Sequence, residues 1–291
     1  MKKTAETVVS SAKKSVTIGG EQPTVIIGER INPTGKKHLQ QALLKGDLAP
    51  VREAAVAQVL AGADIIDVNV GMAGINEVEI LPAAVKAVAE AVEAPICIDT
   101  SNFEAMLAAL DVCPGRPVIN SVNGTESSLQ QVLPLVKKYG VAVIGLVSDE
   151  GGIPEEPERR LAIGEKIISR AEGYGIPRHD VIIDCLALTV GADYLAGKTF
   201  LDTVYLISRE LGVNITVGAS NISFGMPQRD AINDAFLAMS ILAGVNCPIV
   251  DPVKARQAIL IADLLMGRDR YAMRYISYYK AKLKNFQSKI T

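Results

Sequence analysis

Short runs rich in Val, Ile and Ala alternate with longer stretches of helical period along almost the whole chain. Runs near residues 24–29, 63–69, 95–99, 117–122, 141–147, 180–186, 214–220 and 245–250 have the length and β-branched content of buried strands. Helical stretches separate them; Ile232, Phe236, Met239 and Ala243, for example, recur at the spacing of one helix face. Ser101 to Glu104 has the form of an S-x-x-E capping box, and Asp251-Pro252 starts the last helix of the series with a cap and a proline. Eight strand–helix alternations without a Gly-, Pro- or Ser-rich linker predict an α/β fold, a single (β/α)8 TIM barrel rather than an open doubly wound sheet. The barrel is expected over residues 23–265. Residues 1–22 form an N-terminal extension of uncertain order, and residues 266–291 a C-terminal helical segment that packs on the barrel or at a dimer interface.

The polar positions sharpen this picture. Six of the apolar runs end at a carboxylate or carboxamide: Glu29, Asp67 with Asn69, Asp99, Asn120, Asp184 and Asn221. In a parallel barrel the carboxyl ends of the strands share one face, so these side chains converge from remote points of the chain on one polar pocket. Alternation along a strand puts Ile65, Asp67 and Asn69 on one face, and pairs Ile182 with Asp184 and Val217 and Ala219 with Asn221. Asp67 and Asn69 also admit a plainer use, satisfying backbone groups at the barrel top. The connections after the first strand, from Asn32 to Lys37, and after the fifth, from Ser148 to Pro154, read as the longest, either substrate lids or ordinary surface loops.

Composition narrows the class of function. Hydrophobic residues make up 49% of the 291 and aromatics 4%, with no Trp, as suits buried parallel strands packed under helices. Lys and Arg number 30 against 32 Asp and Glu, so no global field draws nucleic acid or an anionic membrane, and the basic stretch from Arg268 to Lys289 reads as a solvated helix face. Cys97, Cys113, Cys185 and Cys247 stand far apart without a CxxC, which predicts free thiols and a reducing, cytoplasmic setting. Neither His38 nor His179 stands at ligand spacing from a cysteine, so no metal is expected on this chain, and residues 1–20 lack the apolar core of a signal peptide. GxSxG, P-loop and GxGxxG signatures are missing, and glycosidase chemistry lacks its stacking Trp. What remains is a set of planar acceptors and amides, suited to a flat heterocycle rich in donors. A 2-amino-4-oxo pyrimidine ring offers an amine and a ring N–H side by side, a fork that a carboxylate meets bidentately, while Asn serves the remaining edge.

On these residues the chain resembles a known family. The segments GERINPTGKK, IIDVNVG, CIDTSN, VINSVNG, VIGLVSDEGGIP, IIDCLALTVG and GASNISFGMPQR together resemble the pterin-binding methyltransferases that move a methyl group between tetrahydrofolate and a corrinoid protein, among them the folate module of cobalamin-dependent methionine synthase. The likeness runs from Val25 to about Leu265. It implies that Asp99, Asn120 and Asp184 anchor the pterin ring, that Asn221 approaches N5, the nitrogen bearing the methyl group, and that Glu29, Asn32, Asp67, Asn69 and Arg229 support the pocket. The catalytic set it implies is Asn221 with Asp99 and Asn120. It also implies tetrahydrofolate or methyltetrahydrofolate as substrate, cobalamin held by a separate corrinoid protein, and a homodimer. Neither histidine lies in the D-x-H-x-x-G sequence of corrinoid carriers, which fits cobalamin arriving on a partner. Two alternatives stay open: a dihydropteroate synthase-like enzyme, disfavoured because INPTGKKH replaces its pyrophosphate loop and Ser220-Asn221 its strand-seven lysine, and a pterin-binding protein without catalysis.

Overall fold

The computed structural model describes residues 5–19 and 22–287, with the side chains of 284–287 left aside. Residues 1–4, 20 and 21 of the expected extension and 288–291 of the C-terminal segment lie outside the described residues. Parallel strands β3 (Ile27–Ile31), β4 (Ile65–Val68), β5 (Ile96–Asp99), β6 (Val118–Asn123), β7 (Ala142–Leu146), β8 (Val181–Asp184), β9 (Asn214–Thr216) and β10 (Ile249–Val250) form one sheet in the order β10-β3-β4-β5-β6-β7-β8-β9. The sheet closes where Ile249 N–H donates to the Val217 carbonyl at 2.8 Å beside a parallel bridge between Gly218 and Ile249. Helices α1 (Lys37–Leu44), α2 (Ala49–Ala61), α3 (Glu77–Ala91), α4 (Phe103–Val112), α5 (Glu126–Tyr139), α6 (Pro157–Gly173), α7 (Ala196–Glu210), α8 (Arg229–Ala243) and α9 (Pro252–Leu265) alternate with the strands, and α10 (Met273–Gln287) follows the last turn. This is the (β/α)8 barrel that the alternation predicts.

Strand parity builds two apolar layers. Ile27, Ile65, Cys97, Val118, Ile144, Ile182 and Ile249 fill the barrel interior, while Ile66, Val68, Ile98, Ile119, Val143, Ile183 and Ile215 pack outward under the helices. Cys97, Cys185 and Cys247 are buried, Cys113 is half-buried, and all four thiols are free. On α8 the expected stripe holds only in part, since Phe236 is buried but Met239 turns to solvent.

Residues 7–18 of the expected N-terminal extension fold as a hairpin. Strands β1 (Thr7–Ser10) and β2 (Ser15–Ile18) pair antiparallel, and Val9, Val16 and Ile18 join the interior cluster as a plug for the amino end of the barrel. The signal was present in the alternation of TVVS and SVTI, but the intervening Lys and Ser masked it. Asn214, the first residue of β9, fastens the plug: its Nδ2 donates to Thr7 Oγ1 at 2.7 Å and to the Ile18 carbonyl at 3.1 Å, and its Oδ1 accepts from Asn246 Nδ2 at 2.7 Å. Replacing Asn214 by Ala strands these buried partners and is expected to cost about 3 kcal/mol in urea unfolding. A loss under about 1 kcal/mol would show that the plug is held by its apolar contacts alone.

At the other terminus, Asp263 is fully buried and accepts from Thr24 N–H at 2.9 Å and from Arg274 at 3.0 Å, tying α10 to the entry of β3. Two helix starts test the capping predictions. Asp251 caps α9 by accepting from Val253 N–H, with Pro252 at the first position. On α4, however, the cap is Asn102, which accepts from Ala105 N–H at 3.0 Å, rather than Ser101. The Thr100 hydroxyl accepts from Asn102 N–H at 3.0 Å and so starts the helix one residue later than the S-x-x-E pattern implies.

Candidate active site at the barrel mouth

Interior parity carries Asp67, Asp99, Asn120 and Asp184 to the carboxyl ends of β4, β5, β6 and β8, directly above Ile65, Cys97, Val118 and Ile182. Asp99 and Asn120 are register partners across β5 and β6. Asn69 Nδ2 donates to Asp99 Oδ2 at 2.9 Å, Asn120 Nδ2 donates to Asp67 Oδ1 at 3.4 Å, and the Asp67 and Asp99 carboxyls bond to each other, so these four side chains form one hydrogen-bonded group. Its charges are confined. Burial, then the neighbouring Asp99, pushes Asp67 well above the usual carboxylate range; burial raises Asp99 less, because Asn69 and Asp67 bond to its ionised form. Both carboxyls therefore take up a proton more readily than an exposed acid does. Thr100 and Glu77, missed in the sequence, back this group through a 2.6 Å bond from the Thr100 hydroxyl to Glu77 Oε2.

Asp184 stands apart. It accepts from Leu186 N–H at 2.8 Å, and burial moves its carboxyl up to about 6 against that hydrogen bond. Asp67 and Asp99 thus form a coupled pair, whereas Asp184 is a single buried acid.

The other side of the mouth is built differently. Ile27 faces the interior but Ile31 faces the helices, because the register of β3 slips between Gly28 and Ile31. Gln58 of α2 fills the gap in the ladder, its Oε1 accepting from Arg30 N–H at 2.8 Å. This bulge directs Glu29 into the mouth, where burial, then Asp251, raises its carboxyl above the ordinary range. Arg30 pairs with Asp251 at 3.5 Å, and Lys36 Nζ donates to the Arg30 carbonyl at 2.9 Å.

Asn221 arrives by a route that alternation does not describe. In β9 the inward residues are Asn214 and Thr216; Val217 and Ala219 pack outward, so the expected link between them and Asn221 fails. A 3-10 turn at Ala219–Ser223 brings Asn221 to the mouth instead. Arg229 pins that turn, its Nη2 donating to the Ser220 carbonyl at 2.7 Å and its Nε to Ser223 Oγ at 3.0 Å. Asn221 itself is exposed, and its side chain has no hydrogen-bond partner among the described residues.

Two cavities flank this mouth among the described residues. One of about 320 Å³ is lined by Asp99, Asn120, Ser121, Asn123 and Leu146 among others. A second of about 510 Å³ takes in Glu29, Asn32, Lys36, Asn221, Arg229 and Asp251. Asp67, Asn69 and Asp184 line neither. The loops differ from expectation as well: the connection after β3, residues 32–36, is short, while 185–195 after β8 and 217–228 after β9 are long. The expected loop after β7, residues 147–156, is long but held down. Gly124 N–H donates to the Ser148 carbonyl at 2.8 Å and Glu126 N–H to Glu150 Oε1 at 3.0 Å.

Residues 28–251 match the family model described as pterin binding enzyme, a span that begins at the β3 bulge and ends at the α9 cap. The chain belongs to the pterin-binding enzyme family. Within that family it is 30% identical over 266 residues to the methylcorrinoid:tetrahydrofolate methyltransferase of Eubacterium limosum, an alignment covering 88% of this chain and 96% of that one. It is also 31% identical to the methionine synthase of Mycobacterium leprae (strain TN) over 92% of this chain, but spans only 24% of that longer protein. Among solved structures the barrel superposes on Yersinia pestis DHPS in complex with a pterine-sulfa conjugate with a TM-score of 0.67, covering 90% of this chain and 99% of that one. At 18% identity this second likeness shows the fold alone.

Among the described residues no three His, Cys, Asp or Glu side chains are grouped as a metal-binding set, and no helix is long and apolar enough to cross a membrane.

Proposed function

We propose that this pterin-binding enzyme is a methyltransferase that moves a methyl group between N5 of tetrahydrofolate and the cobalt of a corrinoid carried by a separate protein. One observation carries the reading: a half-buried acid–amide group on β4 to β6 and an exposed Asn221 without a side-chain hydrogen bond share the same mouth. The full-length likeness to a methylcorrinoid:tetrahydrofolate methyltransferase supports it.

In this reading Asp99 meets the amine and ring N–H of the pterin with its charge, Asn120 serves the adjoining ring edge, and Asp184 supplies the second acceptor. Asp67 and the amide of Asn69 hold Asp99 in place. Glu29 lies beneath the other side of the mouth, and Arg229 keeps the turn that presents Asn221. The pterin amine leaves poorly unless a proton neutralises it. Asn221 hydrogen-bonds N5 as a proton from solvent arrives, an interaction that strengthens as charge develops. The corrinoid, when its carrier docks, supplies the cobalt that takes or gives the methyl group, and no residue here is assigned to hold it.

Homodimerisation belongs to the same proposal. Leu60 of α2, Leu242 of α8 and Leu265 of α9 are exposed on the outer helical layer, a location suited to a second copy. Four free thiols fit a cytoplasmic setting.

The purified protein, mixed with tetrahydrofolate and methylcobalamin, is expected to yield methyltetrahydrofolate while the absorption of cob(I)alamin appears. Tetrahydrofolate binding without methyl transfer to or from any free or protein-bound corrinoid would refute the enzyme and leave a binding protein.

A further inference from the structure

Arg160 of α6 is buried to 2% exposure and forms no ion pair among the described residues. Burying such a cation without a carboxylate partner is costly. Nε and Nη1 donate to backbone carbonyls: Nε to Pro154 at 2.7 Å, and Nη1 to Cys185 at 3.0 Å and Leu186 at 3.1 Å. Two of these acceptors directly follow Asp184, and the third lies in the loop after β7.

The peptide between Cys185 and Leu186 explains the arrangement. In a trans peptide the carbonyl and the N–H point in opposite directions. A guanidinium holding the Cys185 oxygen therefore turns the Leu186 N–H the other way, and there it donates to Asp184 Oδ1 at 2.8 Å. Leu186 has φ of 55°, a left-handed conformation that a branched side chain resists. Unfavourable backbone geometry and an unneutralised buried charge thus meet at the segment that orients one carboxylate.

We propose that Arg160 is a positioning residue for pterin recognition: through the Cys185–Leu186 peptide it fixes the rotamer of Asp184 and keeps the second carboxylate oxygen turned to the ring. The inference rests on the reading of Asp184 as a ring anchor. Arg160 lines neither cavity of the mouth, and it also joins the Asp184 segment to the loop 147–156 through Pro154.

The test is a double-mutant cycle on tetrahydrofolate binding with Arg160→Met and Asp184→Asn, read by titration calorimetry, with steady-state kinetics alongside. Arg160→Met alone is expected to weaken binding and raise KM about tenfold or more, with kcat at saturating folate changed less than about threefold, because Asn221 is held by a different segment. In the Asp184→Asn background the same change is expected to cost little further. If Arg160→Met does not fold, Arg160→Lys, which keeps the charge and loses the fork, carries the same cycle with a smaller effect. Guanidinium ion at millimolar concentration is expected to restore part of the binding to Arg160→Ala. Equal losses in both backgrounds, or no loss in either, would overturn the role of Arg160 while leaving the ring anchor intact. Unchanged binding by Asp184→Asn alone would instead remove the anchor on which the inference rests.

Discussion

Asp184→Asn is expected to make the unliganded protein more stable above about pH 6 while removing most of its affinity for tetrahydrofolate. Burial raises the Asp184 carboxyl to about 6, against an ordinary 3.8, so the folded protein holds this proton to higher pH than the unfolded chain does. The stability associated with the protonated acid is fully present below about pH 4 and is lost as pH rises through about 6. At neutral pH the ionised, buried group therefore destabilises the fold by about 3 kcal/mol, taking 1.36 kcal/mol per pH unit. Asparagine carries no charge and retains the acceptor for Leu186 N–H, so most of that penalty disappears. Urea unfolding from pH 4 to 8 should show a flatter dependence in the variant and a higher midpoint at pH 8. Binding should move the opposite way, because the one charged oxygen that Asp184 turns to the ring is lost, weakening tetrahydrofolate by about tenfold or more. A variant no more stable at pH 8, or one that binds with full affinity, contradicts the assignment.

Asn221→Ala is expected to do something different: to slow methyl transfer at saturating tetrahydrofolate by about a hundredfold or more, and leave stability within about 0.5 kcal/mol of the parent. The structural reason is that Asn221 is exposed and its side chain has no hydrogen-bond partner among the described residues. Its turn is held instead by Arg229 on Ser220 and Ser223. A group that interacts with N5 chiefly as charge develops lowers kcat more than it raises the dissociation constant. Single-turnover transfer, followed by cobalamin absorption at folate concentrations well above the dissociation constant, separates the two effects. An unchanged rate would remove Asn221 from the reaction.

Much of the barrel could be read from local order. Regular alternation placed Asp67, Asp99, Asn120 and Asp184 on the interior face, because each follows an unbroken run of paired strand in which every second side chain faces inward. The same rule failed for Asn221, where the chain leaves β9 for a 3-10 turn, and it missed the bulge that aims Glu29. The amino-terminal hairpin was overlooked because two four-residue strands make too weak a pattern until their apolar side is seen to plug the barrel. Helix caps showed the same boundary. Asp251 was legible because proline fixes the first turn, whereas Thr100 competed for the start of α4 and moved its cap to Asn102.

By itself the sequence determined the eight barrel strands, the interior side chains of most of them, and the acids and amides that follow them, since alternation and strand length are properties of neighbouring residues. The tertiary structure alone decided the rest. It bulged β3 so that Glu29 enters the mouth, carried Asn221 there on a 3-10 turn, and set a buried Arg160 behind Asp184. These outcomes depend on distance and on exclusion of water between residues remote in the chain, and both arise only when the barrel closes.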